Sequence, residues 1–392
     1  MGIWKGLLGS GQSGPFDQVA FAKAVATGRD WARRKSAVEK VERSDCVRGN
    51  MEIMSNRLDP IPGALRRLVS DLSHRKMWIY WTDFLTSLFA GYLAFVLFPL
   101  ARPFTLRAGL AFAVSVFALY RAVIFIHEIA HMPRYEFIAF RLTWNLLCGI
   151  PLLVPSFLYE MHYQHHSRQT YGSADDGEYL SFARLPRRVA VLYVLVSFLA
   201  APVLVARFLV LAPLRWIYPR LNRFVLTRAS ALAIDGEYVR PLEPGRIPWR
   251  WVLQEAACFA WCALIGGLTL SGHIPAGRLL EAAAVVTTVV LINSLRTLGA
   301  HRYHGSGEPM SFAEQVRDSN DFPSVLAELW APVGLRYHAM HHLFPQLPYH
   351  ALPEARRRVL AWSGSQNPIR ESARDSLFNV LRELMRKHRV AA

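Results

Sequence analysis

The sequence predicts an all-α integral membrane protein, with four transmembrane helices in two hairpins capped by a cytoplasmic helical domain that carries clustered histidines. Three observations lead there. Hydrophobic residues make up 52% of the 392, and they are bunched into long runs, the pattern of a membrane chain. Several runs reach the ~20 residues that cross a hydrocarbon core of about 30 Å. Eight of the 14 histidines fall in three short clusters: His127-Glu-Ile-Ala-His131, His162-Tyr-Gln-His165-His166 and His338-Ala-Met-His341-His342. Surface histidines have no reason to cluster, whereas metal ligands do, because neutral imidazole is the commonest nitrogen donor to transition metals. Spacings of three and four put each cluster on one helix face.

Taken in order, residues 1–76 are polar and basic, with Arg33-Arg34-Lys35 and Arg66-Arg67. They read as a cytoplasmic N-terminal segment with one or two surface helices. No signal peptide is expected, since Gly2 opens a Gly-rich polar stretch and the first long apolar run follows residue 76. Position 6 is Gly, so the Ser/Thr of a myristoylation motif is missing. The first span covers 77–100 and begins with Trp78, Tyr80 and Trp81, suited to an interfacial belt. After a turn containing Pro103, the second span, 106–126, runs straight into His127. Residues 146–158 are apolar but short and broken by Pro151 and Pro155; they read as interfacial or buried against the metal-bearing domain. Residues 189–211 are apolar too, but carry Pro202 and Arg207 and end near Arg215. A polar stretch rich in Arg and Pro follows over 214–250. Spans at 252–270 and 279–296 are joined by the turn Ser271-Gly-His-Ile-Pro-Ala-Gly277, and His301 lies just beyond. The membrane domain is expected to close near residue 360. Residues 361–392 form a basic helix and tail, amphipathic over 377–389.

Parity constrains topology. If all clusters serve one site, an even number of crossings separates His166 from His301. Three apolar segments lie between, so one should not cross. Arg207, Pro202 and the basic ending single out 189–211 as in-plane or re-entrant, which leaves four spans. The positive-inside rule agrees. The hairpin turns hold only Arg102, Arg107 and Arg278, and most other basic residues lie on the side of the termini and clusters. That side is expected to be cytoplasmic, which for a bacterial protein means the inner face of the inner membrane.

A net charge of +16 raises nucleic acid as a partner, but no basic, aromatic-interleaved stripe of a nucleic-acid reader is present. The charge lies outside the apolar runs, as expected for a protein facing anionic headgroups. Of the four cysteines, Cys46 and Cys148 are isolated, and Cys258 and Cys262 sit i, i+4 in an apolar run. The expected role of that pair is packing, with no disulfide framework.

Read alone, His127-Glu128-x-x-His131 is the HExxH of zinc peptidases. Such a peptidase needs a remote acidic ligand, for which Asp235 in a polar loop is a poor imitation. It also has no use for six further histidines. Eight or nine imidazoles exceed the needs of one ion and suit two, with four or five nitrogens each. Imidazole sites accept zinc, copper, nickel or iron, and affinity alone does not choose.

The three clusters, in this order and placement, resemble the integral-membrane fatty acid desaturase superfamily, bacterial type, over residues from about 77 to about 360. Asn293-Ser-Leu-Arg-Thr-Leu-Gly-Ala-His301-Arg-Tyr and His338-Ala-Met-His341-His342-Leu-Phe-Pro-x-x-Pro-Tyr-His350 strengthen the likeness. The resemblance implies two iron ions that use O2 to desaturate the acyl chain of a fatty acid or lipid. It gives the catalytic metal ligands as His127, His131, His162, His165, His166, His301, His338, His341 and His342, with His304 competing with His301 for the ninth place. It gives Glu128 no ligand role. Some members use an asparagine near this ligand to hold a metal-bound water; Asn293 is the nearest here, at a different spacing.

Ligating imidazoles usually donate their other N–H to a carboxylate or carbonyl, for which Asp175, Asp176, Glu178 and Glu160 are the candidates. His350 reads as an outer residue of the centre or as a surface histidine. Arg121 can pair with Asp83 across the first two spans. The alternative chemistry is hydroxylation or ketolation of a lipid, sterol or carotenoid by a related di-iron enzyme. The HxxHH spacing of the second cluster argues against an alkane hydroxylase. A transporter would carry ligands near midplane, not at span ends. No haem-binding HPGG sequence or iron–sulfur cysteine set occurs, so electrons should come from a separate ferredoxin- or cytochrome-type donor. The basic runs Arg356–Arg358 and Arg382–Arg389 are its expected docking face.

Overall fold

A computed structural model describes residues 63–98, 105–133, 135–242, 247–362, 367 and 369–386. The expectations for Arg33–Lys35, Gly2, Cys46, Arg102, Pro103 and residues 387–392 lie outside the described residues. Nine helices among the described residues position the histidine clusters or support them: α1 (Met77–Leu97), α2 (Leu106–His131), α3 (His162–His165), α4 (Arg188–Ile217), α5 (Trp249–Leu270), α6 (Ala276–Ala300), α7 (His338–Leu343), α8 (Leu352–Ala361) and α9 (Leu377–Arg386). No strand forms among the described residues; isolated bridges such as His301 with Ser319 join extended backbone.

Helix ends follow local chemistry. Thr105 caps α2, its hydroxyl accepting from the Ala108 N–H at 3.3 Å. Pro248 and Pro275 directly precede α5 and α6, where a residue without an N–H costs nothing. The second span was expected to stop at residue 126, but α2 continues through His131. Hydropathy falls at His127 and Glu128, yet both side chains are buried, so packing carries the helix five residues further.

Among the described residues, five helices are long and apolar enough to cross a membrane: α1, α2, α4, α5 and α6. This revises the grounds for setting 189–211 in the plane. That segment belongs to a 30-residue run with the highest mean hydropathy of the five. The charges that spoke against crossing are neutralised inside the fold. Arg207 reaches Glu255 of α5 at 2.7 Å, and Arg215 donates to the other oxygen of the same carboxylate at 2.7 Å. Pro202 follows a 3-10 turn at Ser197–Leu199, and a π turn spans Ala206–Leu211, so its missing N–H falls in an already irregular stretch. Five helices, not four, qualify by length and composition.

Large apolar side chains on all five stand exposed, among them Phe89, Leu110, Phe198, Leu264 and Leu280. A surface this apolar is stable only against lipid. Inside, α1 and α2 pack so closely that a Cβ at Gly91 would lie 2.6 Å from Leu119 Cγ. Asp83 of α1 receives both Nε and a terminal nitrogen of Arg121 at 2.6 Å, the pair the sequence suggested, and Glu328 takes the third nitrogen at 2.7 Å.

The histidine-bearing end collects the C-terminal ends of α2 and α6 together with α3 and α7. Residues 146–158, expected to be interfacial or buried, run through a π turn at Asn145–Gly149 and a 3-10 turn at Ser156–Tyr159, with Cys148, Phe157 and Leu158 buried. Cys258 and Cys262 are free and buried, as expected of packing residues. One fully buried acid, Asp321, fixes α7: Oδ1 accepts from the N–H groups of Ala339 (2.9 Å) and Met340 (3.3 Å), and Oδ2 from Arg356 and Ser372. These bonds satisfy donors that a helix start leaves open.

Candidate metal centre

Four pieces of chain deliver the clustered rings. The last turn of α2 supplies His127 and His131, α3 and the residue after it supply His162, His165 and His166, and α7 supplies His338, His341 and His342. His301 is the extended residue that ends α6. The rings sort into two groups. His127, His131, His162, His166 and His341 form one, and His165, His301, His338 and His342 the other; within each, one ring nitrogen per residue lies within 4.8 Å of all the others. Both groups are largely withdrawn from solvent. The nine residues expected as ligands are the nine brought together. His304 is not among them; its backbone N–H donates to Asp318 Oδ1 at 2.8 Å.

The spacing within the groups fits a shared ion. Nε2 atoms approach at 2.9 Å (His131–His341), 3.1 Å (His162–His166), 3.1 Å (His165–His301), 3.0 Å (His301–His338) and 3.2 Å (His338–His342). Two nitrogens bound at ~2.1 Å to one first-row ion and at right angles lie about 3.0 Å apart. Both ring nitrogens of His127 are buried without a hydrogen-bond partner, a cost that an ion accepting one lone pair would relieve.

Electrostatics favours neutral rings, the form that binds metal. Burial, reinforced by neighbouring imidazoles, holds His166, His301, His338, His341 and His342 well below the ordinary histidine value. His165 is different. Burial disfavours its cation, but the carboxylates of Asp176 and Glu178 together raise its pKa above the ordinary value.

Carboxylates orient the rings from behind. His162 Nδ1–H donates to Glu178 at 2.8 Å, and the Tyr159 hydroxyl donates to the same carboxylate at 2.6 Å. His165 Nδ1–H donates to Asp176 at 2.9 Å, and Asp176 is itself held by the N–H groups of Gly172 and Glu178. Both acids were expected from the sequence. Asp175 is exposed, and Glu160 accepts from Trp251 instead. A third chain was missed: His301 Nδ1–H donates to the Tyr171 hydroxyl at 2.9 Å, which donates to Asp318 at 3.1 Å. Burial pushes the Asp318 carboxyl up to about 6. Asp318-Ser-Asn-Asp321 are four consecutive polar residues that are all buried, which their sequence alone does not reveal.

Other expectations resolve away from the centre. Glu128 turns toward α1, accepting from the Tyr80 hydroxyl at 2.5 Å and the Tyr349 N–H at 3.4 Å, so it is not aimed as a peptidase base. Asn293 accepts from Arg296 at 2.7 Å. His350 accepts from the Lys76 N–H at 3.3 Å at the start of α1. Of the basic runs, Arg356 pairs with Asp321, Arg357 with Glu354, and Arg358 with Glu354 and Asp71. A cavity of about 740 Å³ opens beside His301, lined by Arg187, Arg302, Arg374, Phe182 and Leu384.

A sequence model described as fatty acid desaturase matches residues 103–370. The chain is also similar to a ceramide hydroxylase of Caulobacter vibrioides, with 36% identity over 326 residues that cover 82% of this chain and 92% of that protein. No solved structure matches.

Proposed function

The chain belongs to the fatty acid desaturase family, and from that premise we propose that it is an O2-dependent membrane di-iron enzyme that hydroxylates a ceramide-type lipid. The observation that carries the reading is the pairing of five and four convergent imidazoles at the ends of apolar helices. Hydrolysis can proceed with one or two zinc ions, whereas oxidation of an unactivated C–H bond needs an oxidant made from O2, and so iron or copper and a supply of electrons. The similarity to a ceramide hydroxylase supports this substrate class and this outcome.

In this reading His127, His131, His162, His166 and His341 hold one iron ion, and His165, His301, His338 and His342 the other. The ions supply O2 activation and an oxidant strong enough for an alkyl C–H bond. The protein does the rest. Asp176 and Glu178 fix ring orientation and raise ligand basicity. Tyr171 and Asp318 do the same for His301. The buried position of the rings excludes water from the reacting carbon. The balance is one C–H bond and one O2, with a pair of electrons and two protons, giving one C–OH and one water. The electrons come from a separate donor, ferredoxin- or cytochrome-type, and the centre faces the cytoplasm.

Desaturation is the second reading, favoured by the family match itself. It consumes the same O2, electrons and protons but removes hydrogens from two adjacent carbons and releases two waters. Expression in a bacterium that lacks both activities, followed by lipid mass spectrometry, separates them. A hydroxylase yields a ceramide heavier by one oxygen, and a desaturase yields a lipid lighter by two hydrogens. Absence of both from cells that contain the metal-loaded protein would overturn the proposal.

A further inference from the structure

Helix α6 carries a cation to the edge of the histidine centre. Arg296 lies one turn before the end of α6 and is 8% exposed. It lies five residues before His301, the residue that ends α6, on the same piece of chain. Its partners are neutral: Asn293 Oδ1 at 2.7 Å and the Tyr120 hydroxyl. Its Nε–H is buried with no acceptor.

Most other buried arginines meet a carboxylate or an aromatic face, although Arg240 also keeps two nitrogens without an acceptor. Arg207 and Arg215 share Glu255, Arg121 holds Asp83 and Glu328, and Arg240 stacks 3.7 Å over the Trp251 ring. The acids behind the histidine rings are committed to those rings, Asp176 to His165 and Glu178 to His162. A helix C-terminus attracts a cation, but only weakly compared with the cost of burying an unpaired charge. Metal ions in the two groups would add positive charge and raise that cost. A charged side chain in a membrane-spanning helix with neutral partners and one orphaned N–H points to an acceptor supplied by a ligand.

We propose that Arg296 anchors the polar head of the substrate, donating to an acceptor oxygen such as an amide carbonyl or hydroxyl, and so places the oxidised carbon a few bonds from that head. The proposal rests on the hydroxylase reading for its substrate class. An alkyl chain packed on Arg296 would leave its N–H groups unsatisfied, so the segment lying there must accept hydrogen bonds. An enzyme that oxidises the middle of a chain needs apolar contacts on both sides of the reacting carbon, which Arg296 does not offer.

The test uses the full-length enzyme in lipid nanodiscs with ceramides whose N-acyl chains run from fourteen to eighteen carbons. The wild type should oxidise one position counted from the amide, whatever the chain length. Arg296→Gln should raise KM by about tenfold and scatter the product position, with metal content unchanged; Arg296→Lys should keep the position. Positions counted from the methyl end would overturn the anchor, as would an Arg296→Gln enzyme that loses only kcat. A binding arm is independent of turnover. A fluorescent short-chain ceramide should bind the wild type more tightly than a matched dialkyl ether lacking the amide, and Arg296→Gln should lose that preference. If no oxidised lipid forms but the preference is present and lost in the variant, the reaction assigned is wrong and the anchor stands. Equal binding of both probes by the wild type would refute the anchor.

Discussion

The Nε2 atoms of His131 and His341 lie 2.9 Å apart across 210 residues of sequence. One ends a helix of membrane-spanning length, and the other sits in the short α7, whose start is fixed by the buried carboxylate of Asp321. The contact ties the histidine-bearing cap to the end of α2. The centre likewise depends on carboxylates that hold its histidines and are not among its nine expected ligands.

Asp176 is the clearest of these. Asp176→Asn keeps an acceptor for the His165 Nδ1–H but removes the charge. Metal affinity of the group containing His165 is expected to fall by about 10–100-fold, while the protein stays in the membrane. Metal retained after dialysis against a graded chelator series measures this. Equal retention by variant and wild type would show that Asp176 plays no part in holding metal.

Glu255 neutralises two buried arginines at once. Glu255→Gln strands both, and a cost of about 3–5 kcal/mol is expected, seen as a lower unfolding temperature in detergent. Replacing Glu255, Arg207 and Arg215 together by Met should recover most of it, because no charge is then left unpaired. A single variant as stable as wild type would show that water or lipid already solvates these arginines.

His350 gives a pH dependence. Burial, then the charges of Lys76 and His74, lowers its pKa from 6.5 to about 4. The fold needs the neutral ring, which accepts the Lys76 N–H. Because the folded value lies below the unfolded one, this stabilisation is complete above pH 6.5, fades as pH falls toward 4, and is absent below it. His350→Gln should therefore flatten the unfolding temperature between pH 6.5 and 4 relative to wild type. Parallel curves for the two proteins would rule out this contribution.

Much of the fold was legible because lipid contact demands long apolar runs. The starts of α1 and α2 and the end of α5 fall where hydropathy changes. What composition could not show is where buried polar groups find partners. Arg207 reads as a charge that forbids crossing until Glu255 is seen opposite it. The end of α2 was missed because Glu128 looks like a surface residue, although Tyr80 takes it into the interior. The nine histidines were countable, but their division was not. His165 and His166 are adjacent yet enter different groups, since successive helical residues point about 100° apart. The chain from His301 through Tyr171 to Asp318 joins residues far apart in sequence, and no local pattern announces it.

The two histidine groups are expected to hold two iron ions. Metal content of the purified full-length protein, wild type beside His341→Ala and His338→Ala, tests this expectation most directly. About two irons per chain are expected in the wild type and about one in each variant, with all three proteins membrane-bound. One ion or none per chain in a fully loaded wild type, zinc in place of iron, or full retention of metal by both variants would contradict it.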